Sequence, residues 1–200
     1  SMPQKHIRAL KITPDADGKT VKLASDSFGE WQTVTVYDGE KEILKETYQN
    51  EVILFYDFEL WSPEHPKLYG MVLENESGDR VKSYFGVRSF GKALDKKGKM
   101  RLTLNGKPYF FHGLLDQGYW PDGLFTPAAP ELYAEDILAM KRLGFNTLRK
   151  HIKVEPEEFY YQCDKLGMIV FQDMINNSDY GYVRDTVLPT VFPAYQKRSD

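Results

Sequence analysis

Over residues 6–88, apolar and polar positions alternate in short runs, at 6–13, 20–24, 31–37, 43–47, 51–58, 68–74 and 80–88. A period of two puts every second side chain on one face of an extended strand, so these runs predict half-buried strands. Between them, Asp15-Ala16-Asp17-Gly18, Asp38-Gly39 and Asn75-Glu76-Ser77-Gly78-Asp79 supply residues that tolerate positive φ or cap their own backbone. Seven strands in about ninety residues is the count of an immunoglobulin-like β-sandwich.

The pattern changes near residue 90. Residues 90–99 are polar, basic and flanked by glycine, and read as a linker or exposed loop. Residues 100–104 and 107–112 then flank Asn105-Gly106, a hairpin signal because both central residues of a type I′ turn need positive φ. Beyond Thr126 to Pro130 the apolar spacing becomes helical, with Tyr133, Ile137 and Met140 on one stripe and Gly144 as the stop. Residues 145–149 are strand-like. A second helix begins near Glu155-Pro156, carries Phe159, Cys163 and Leu166 inward and ends at Gly167, and residues 168–171 form a continuous apolar run. Such a run fits a parallel strand buried on both faces, and βαβ repetition requires crossover helices. The expected fold class is therefore multidomain β plus α/β: a β-sandwich over residues 1–91, followed over residues 92–200 by the first three βα units of a (β/α)8 TIM barrel. A complete barrel takes eight such units over roughly 250 residues, so the barrel is expected to be truncated at Asp200.

Composition narrows the function classes. A formal charge of −3 argues against a general nucleic-acid binder, which carries a basic face to neutralise phosphates. No run of 18 apolar residues exists to make a membrane-spanning helix. Residues 1–10 lack the charged-then-apolar pattern of a secretory leader, and Ser1-Met2 reads as an expression scar. Cys163 is the sole cysteine, which leaves no internal disulfide and no multi-cysteine zinc site. Aromatic residues make up 14% of the chain, which fits either core packing or sugar binding.

In parallel (β/α) folds the chemistry gathers at the carboxyl ends of strands and in the loops that follow. Three clusters stand there: residues 113–122 with Asp116, Tyr119 and Trp120; Arg149-Lys150-His151; and Gln172-Asp173 with the residues after it, including Asn176 and Asn177. A carboxylate, a guanidinium and an imidazole at one barrel mouth suit a ligand rich in hydroxyls, and Trp120 or Tyr119 offers a flat apolar face to a sugar ring. Each has a plainer alternative. Arg149 either meets ligand or pairs with a neighbouring carboxylate, and His151 either meets ligand or makes a buried structural hydrogen bond. Trp120 beside Pro121 either stacks on sugar or packs its loop, and Asp116 and Asp173 either bind or hold loops through backbone amides.

Residues 60–69 (Leu60-Trp61-Ser62-Pro63-Glu64-His65-Pro66-Lys67-Leu68-Tyr69), Phe85-Gly86-Val87-Arg88 and Leu104-Asn105-Gly106-Lys107-Pro108 resemble the passage from immunoglobulin-like domain to catalytic barrel in glycoside hydrolase family two. That family includes β-galactosidases, β-glucuronidases and β-mannosidases. The resemblance continues in order through Asp136, Met140-Lys141, Gly144-Phe145-Asn146, Leu148-Arg149, Phe159-Tyr160, Cys163-Asp164, Leu166-Gly167 and Val170. It implies a retaining glycosidase, in which one carboxylic acid protonates the leaving oxygen and a second carboxylate attacks the anomeric carbon. In the family the acid/base is a glutamate after an asparagine near the end of strand four, and the nucleophile a glutamate near strand seven. Both are expected after Asp200, since Asn50-Glu51 and Asn75-Glu76 fall in the sandwich half.

What the resemblance carries onto this chain is the wall of the non-reducing sugar pocket, at Arg149 and His151. The family usually places two residues between that arginine and histidine, whereas here only Lys150 intervenes. After strand one, where many relatives have an asparagine and a histidine-glutamate pair, this chain has Leu115, Asp116, Gln117 and Gly118, while Gln172-Asp173 resembles the mannosidase-like branch. The expected substrate-binding residues are Asp116, Trp120, Arg149, His151 and Asp173, with no catalytic residue. Some family members use magnesium or sodium, but their metal-binding residues are not recognisable here, and no cofactor is expected.

The expected function is accordingly a segment of an exo-acting retaining β-glycosidase, inactive by itself. The alternative is a non-catalytic carbohydrate-binding or adhesion module. Expected partners are a carbohydrate substrate, the sugar-binding and remaining barrel domains of the parent chain, and a second copy covering the open sheet edge, with neither nucleic acid nor membrane.

Overall fold

A computed structural model of the chain describes residues 5–174. Asn176 and Asn177 of the third cluster lie outside the described residues. The chain divides into two compact units, Ser1–Phe110 and Phe111–Asp200.

The first unit is a β-sandwich with an added hairpin. Strands β1 (Arg8–Asp15), β2 (Thr20–Asp26) and β5 (Glu51–Phe55) pair in the order β1-β2-β5. Strands β3 (Gln32–Asp38), β4 (Lys41–Tyr48), β6 (Tyr69–Asn75) and β7 (Arg80–Phe85) pair in the order β4-β3-β6-β7. The sequence alternation is realised as inward and outward faces. Val21, Leu23 and Leu54 from one sheet meet Val34, Val36, Met71 and Leu73 from the other, all almost fully buried. Phe58, Tyr69 and Phe85 close the core with ring centroids 5.1 to 5.6 Å apart. Two buried polar clasps take the place of a disulfide. Ser25 Oγ donates to Gln32 Oε1 at 2.6 Å and lies 2.9 Å from Tyr48 Oη, while Asn75 Nδ2 donates to Ser27 Oγ at 2.8 Å. Each satisfies polar atoms that would otherwise be stranded in the core.

Residues 90–99 are not a linker. They contain strand β8 (Phe90–Leu94), which runs antiparallel to β9 (Met100–Leu104) and, with β10 (Lys107–Pro108), makes the sheet β10-β9-β8. The Asp95 carboxylate organises the lysine-rich turn by accepting the backbone N–H groups of Lys97 and Lys99 at 2.8 and 2.9 Å. Lysines that looked like a solvated stretch thus decorate a tight turn. The Asn105-Gly106 hairpin forms as expected, with φ of 52° and 74°. Asn105 also ties this hairpin to the sandwich, since its Nδ2 donates to Trp61 O at 3.0 Å and its Oδ1 accepts Ser89 N–H at 3.0 Å. Trp61 is itself 1% exposed, with the Arg88 guanidinium 4.3 Å above its ring.

The second unit is a three-stranded parallel sheet with two helices. Strands β11 (Gly113–Asp116), β12 (Thr147–Lys150) and β13 (Ile169–Gln172) lie in the order β11-β12-β13, joined by α1 (Glu131–Arg142) and α2 (Glu157–Leu166). Tyr133, Ile137 and Met140 of α1, with Phe159 and Cys163 of α2, pack on Leu114, Leu148 and Val170 of the sheet. Both helices stop at glycines with left-handed backbone, Gly144 at φ 90° and Gly167 at φ 79°. The first parallel strand starts later than the sequence suggests. It begins at Gly113, where any Cβ would stand 2.6 Å from Thr147 O, so only glycine allows the two backbones to pair this closely.

Candidate functional site

The parallel register sorts the candidate residues by face. Leu114, Leu148 and Val170 stand abreast and face the helices, so Asp116, Lys150 and Gln172, two residues on, share that side. Leu115, Arg149 and Phe171 stand abreast on the opposite, solvent-exposed face. Asp116 and Arg149 therefore occupy opposite faces of the sheet.

On the open face, Arg149 meets Asp173, the residue just past β13. Arg149 Nε lies 3.1 and 3.2 Å from the two carboxylate oxygens, and its Nη2 lies 2.9 Å from Oδ2. Hydrogen bonding and charge from Asp173 raise the guanidinium pKa further above its ordinary value. This fork geometry fixes the plane of the guanidinium and, among the described residues, leaves Nη1 for another acceptor. More than half of the Arg149 side chain remains exposed.

On the helix side, Asp116 belongs to a buried ion network. Its Oδ2 is 2.9 Å from Lys150 Nζ, and its Oδ1 accepts the N–H of Gly118 at 2.8 Å, so it also holds the loop after β11. Lys150 is 1% exposed, pairs with the buried Glu155 as well, and lies 4.6 Å over the Phe159 ring. Lys153 pairs with Glu155 at 2.8 Å and donates to Gly118 O at 2.6 Å and to Phe125 O. Tyr133 Oη donates to Glu155 Oε2 at 3.3 Å, and burial first, then the Glu155 charge, pushes its phenol up to about 12. Tyr160 Oη donates to Gln172 Oε1 at 2.5 Å, and Gln172 Nε2 donates to Lys153 O at 2.9 Å. Two cations thus balance two carboxylates and stitch the loops after β11 and β12 to the strand ends.

Trp120 packs beside this network. Its ring lies edge-on to Tyr133 at 5.8 Å, and its backbone pairs with Leu124 in both directions at 2.9 and 3.0 Å. Its indole N–H is buried without a hydrogen-bond partner among the described residues. Together with Asp116, Tyr119, Asp136 and Lys150 it lines a cavity of about 240 Å³. Desolvation, then the nearby Asp116 charge, raises the Asp136 carboxyl pKa, against the opposing effect of Lys150. His151 donates its backbone N–H to Asp116 O at 2.9 Å, and its imidazole makes no hydrogen bond among the described residues.

Of the five residues expected from sequence, the structure brings Arg149 and Asp173 together on the open face, and Asp116 and Trp120 together on the helix side. The sequence reading placed Lys150 in a strand-end cluster and Glu155 at a helix start without giving either a role, and it missed Lys153. One signal pointed to Lys150: it shares the Leu148 register, so a strand covered by helices must bury it. Among the described residues no group of three or more His, Cys, Asp or Glu side chains is placed to hold a metal ion.

Residues 5–88 match the family model for glycosyl hydrolases family 2. The exo-β-D-glucosaminidase of Amycolatopsis orientalis is 36% identical over 91 residues, 46% of this chain and 8% of that protein. The β-galactosidase of Aeromonas hydrophila subsp. hydrophila is 27% identical over 199 residues, 86% of this chain and 19% of that protein. The β-glucuronidase structure from Faecalibacterium prausnitzii superposes with a TM-score of 0.75 at 26% identity, covering 86% of this chain and 28% of that one. The resemblance to glycosyl hydrolases family 2 is thus shown over the sandwich region. The chain spans less than a fifth of the length of either curated relative. Its matches to the galactosidase and the glucuronidase reach 86% of its length, well past the sandwich region matched by the family model.

Proposed function

We propose that this chain is the immunoglobulin-like domain and the opening three βα steps of the TIM barrel of an exo-acting retaining β-glycosidase. In that reading the open face of β11-β12-β13 becomes the barrel lumen. Arg149, fixed by Asp173, then lines the pocket for the terminal sugar, with His151 beside it. The observation that carries the reading is the Arg149–Asp173 pair, held by two adjacent parallel strands at their carboxyl ends and left exposed on the face that the helices do not cover.

The chemistry asked of these residues is positioning. The guanidinium's free Nη1 donates to a sugar hydroxyl that remains in place through the reaction, and Asp173 keeps the donor plane from rotating. Bond cleavage needs two carboxylates about 5 to 5.5 Å apart, one to protonate the leaving oxygen and one to form the glycosyl-enzyme. No described residue is given either role. Asn50-Glu51 lies in the turn into β5, and Asn75 is buried in the sandwich. The three relatives act, by name, on different sugars, so the reading extends to terminal β-linked sugars as a class.

The test is turnover by a longer form of the protein carrying the rest of the barrel, with p-nitrophenyl β-galactoside, β-glucuronide, β-mannoside and β-glucosaminide. The expected result is hydrolysis of at least one, with the β-anomer released first by NMR. Absence of turnover in a folded protein, or release of the α-anomer, contradicts the reading.

A further inference from the structure

The outer face of the sheet β4-β3-β6-β7 carries a second, unassigned surface. Successive outward positions of β3 are Thr33, Thr35 and Tyr37, which set hydroxyls along the middle of the sheet. Cross-strand pairing builds rows around them. Thr33 is flanked by Thr47 on β4 and Glu74 on β6, with Arg80 next on β7, and Thr35 is flanked by Lys45 and Val72. Tyr37 is flanked by Glu42 and Gly70, and the missing side chain at Gly70 deepens the face beside the phenol. These residues line a depression of about 550 Å³, within the size range of small-ligand sites. Trp31, just before β3, stands at one end of it with 48% of its surface exposed.

Thr33 and Thr47 share a hydroxyl hydrogen bond of 3.1 Å across the strands, while four charged side chains of the depression are uncommitted. Glu42, Lys45, Glu74 and Arg80 form no ion pair or hydrogen bond among the described residues, and the Trp31 indole makes no ring contact there. We infer that this face binds an oligosaccharide, with one pyranose stacked on Trp31 and the next lying along the Thr33–Thr35–Tyr37 line. Three observations select that ligand. Hydroxyl groups both donate and accept, which matches a surface mixing threonines with charges of both signs, where a polyanion would need cations alone. A pyranose presents a flat face of C–H groups that covers an indole and leaves its rim hydroxyls to hydrogen-bond the row beside it. A docked protein would instead need a desolvated apolar centre, and Val72 is the only aliphatic side chain in the depression. The surface belongs to the first compact unit and does not depend on the proposed catalytic role of the second.

The experiment is an NMR titration of the 200-residue chain with cellotetraose, β-1,4-mannotetraose and β-1,4-galactotetraose. The buried Trp61 indole serves as an internal reference for an intact fold. The inference expects at least one sugar to shift the Trp31 indole N–H and the Thr33 and Thr35 amides in a saturable manner. Trp31→Ala is expected to weaken that binding by about tenfold or more, the loss of one stacking contact, and Arg80→Ala to weaken it without touching the stack. If Trp31→Ala misfolds, the wild-type shifts and the Arg80→Ala titration still decide the matter. Three results overturn the inference: no Trp31 shift with any sugar, affinity unchanged in the folded variants, or Trp31 shifts that follow protein concentration without sugar and so report self-association.

Discussion

Arg149 and Asp173 are joined side-on across β12 and β13, with Nη2 and Oδ2 2.9 Å apart on the face of the parallel sheet that the helices leave open. The next residue along β12, Lys150, points the other way into a buried network with Asp116 and Glu155. One dipeptide therefore divides an exposed ion pair from a buried one.

Lys150→Ala strands two carboxylates in a site where the lysine was 1% exposed. Breaking a buried pair by removing one partner costs about 3 to 5 kcal/mol. A matching fall in the urea midpoint of the second unit is expected, together with loss of the near-UV signal of Trp120 and Tyr133. A variant within a few tenths of a kcal/mol of wild type would show that the network is not supporting the strand ends.

Asp136 has a raised carboxyl pKa because it is desolvated and sits near Asp116. A pKa higher in the folded than in the unfolded state means that the folded form holds the proton more tightly. The associated stability is present below the unfolded value of about 3.9 and is lost as pH rises through the folded one. Asp136→Asn should therefore raise the thermal midpoint at neutral pH and leave it nearly unchanged at strongly acid pH. Equal shifts at both pH values would assign the effect to packing.

The open face also carries Leu115 at 49% and Phe171 at 40% exposure, and β11 and β13 each pair with a single strand among the described residues. Exposed apolar surface beside unpaired strand edges favours association. The chain by itself should form concentration-dependent dimers in sedimentation experiments, and Phe171→Glu should shift them to monomers. A wild-type chain that stays monomeric across the accessible concentration range would remove this face as an interface.

Sequence periodicity revealed most of the sandwich because its strands are buried on one face only, so inward residues such as Val34 and Val36 alternate with Thr33 and Thr35. It revealed the helical stripes of Tyr133, Ile137 and Met140 for the same reason. Strand β8 was hidden because Phe90 and Leu94 remain exposed and the lysines of its turn mimic a linker; the organising role of Asp95 is a backbone effect with no periodic signature. In the candidate site, chain order correctly drew attention to strand ends but could not say which face each side chain takes. That depended on the register of strands of four residues, where a start at Gly113 puts Asp116 against the helices. Trp120 turned inward to Tyr133 because its loop closes on itself through Leu124.

The most direct test of the central claim compares wild type, Arg149→Ala and Arg149→Lys in a longer form of the protein that carries the whole barrel. One charged hydrogen bond to substrate contributes about 1.5 to 3 kcal/mol, so Arg149→Ala should lower kcat/KM by roughly ten- to a hundredfold with little change in folding stability. Arg149→Lys should recover only part of the loss, because an ammonium cannot hold Asp173 and a sugar hydroxyl in one plane. Unchanged kcat/KM in a stably folded Arg149→Ala variant would contradict the assignment of this face to the sugar pocket.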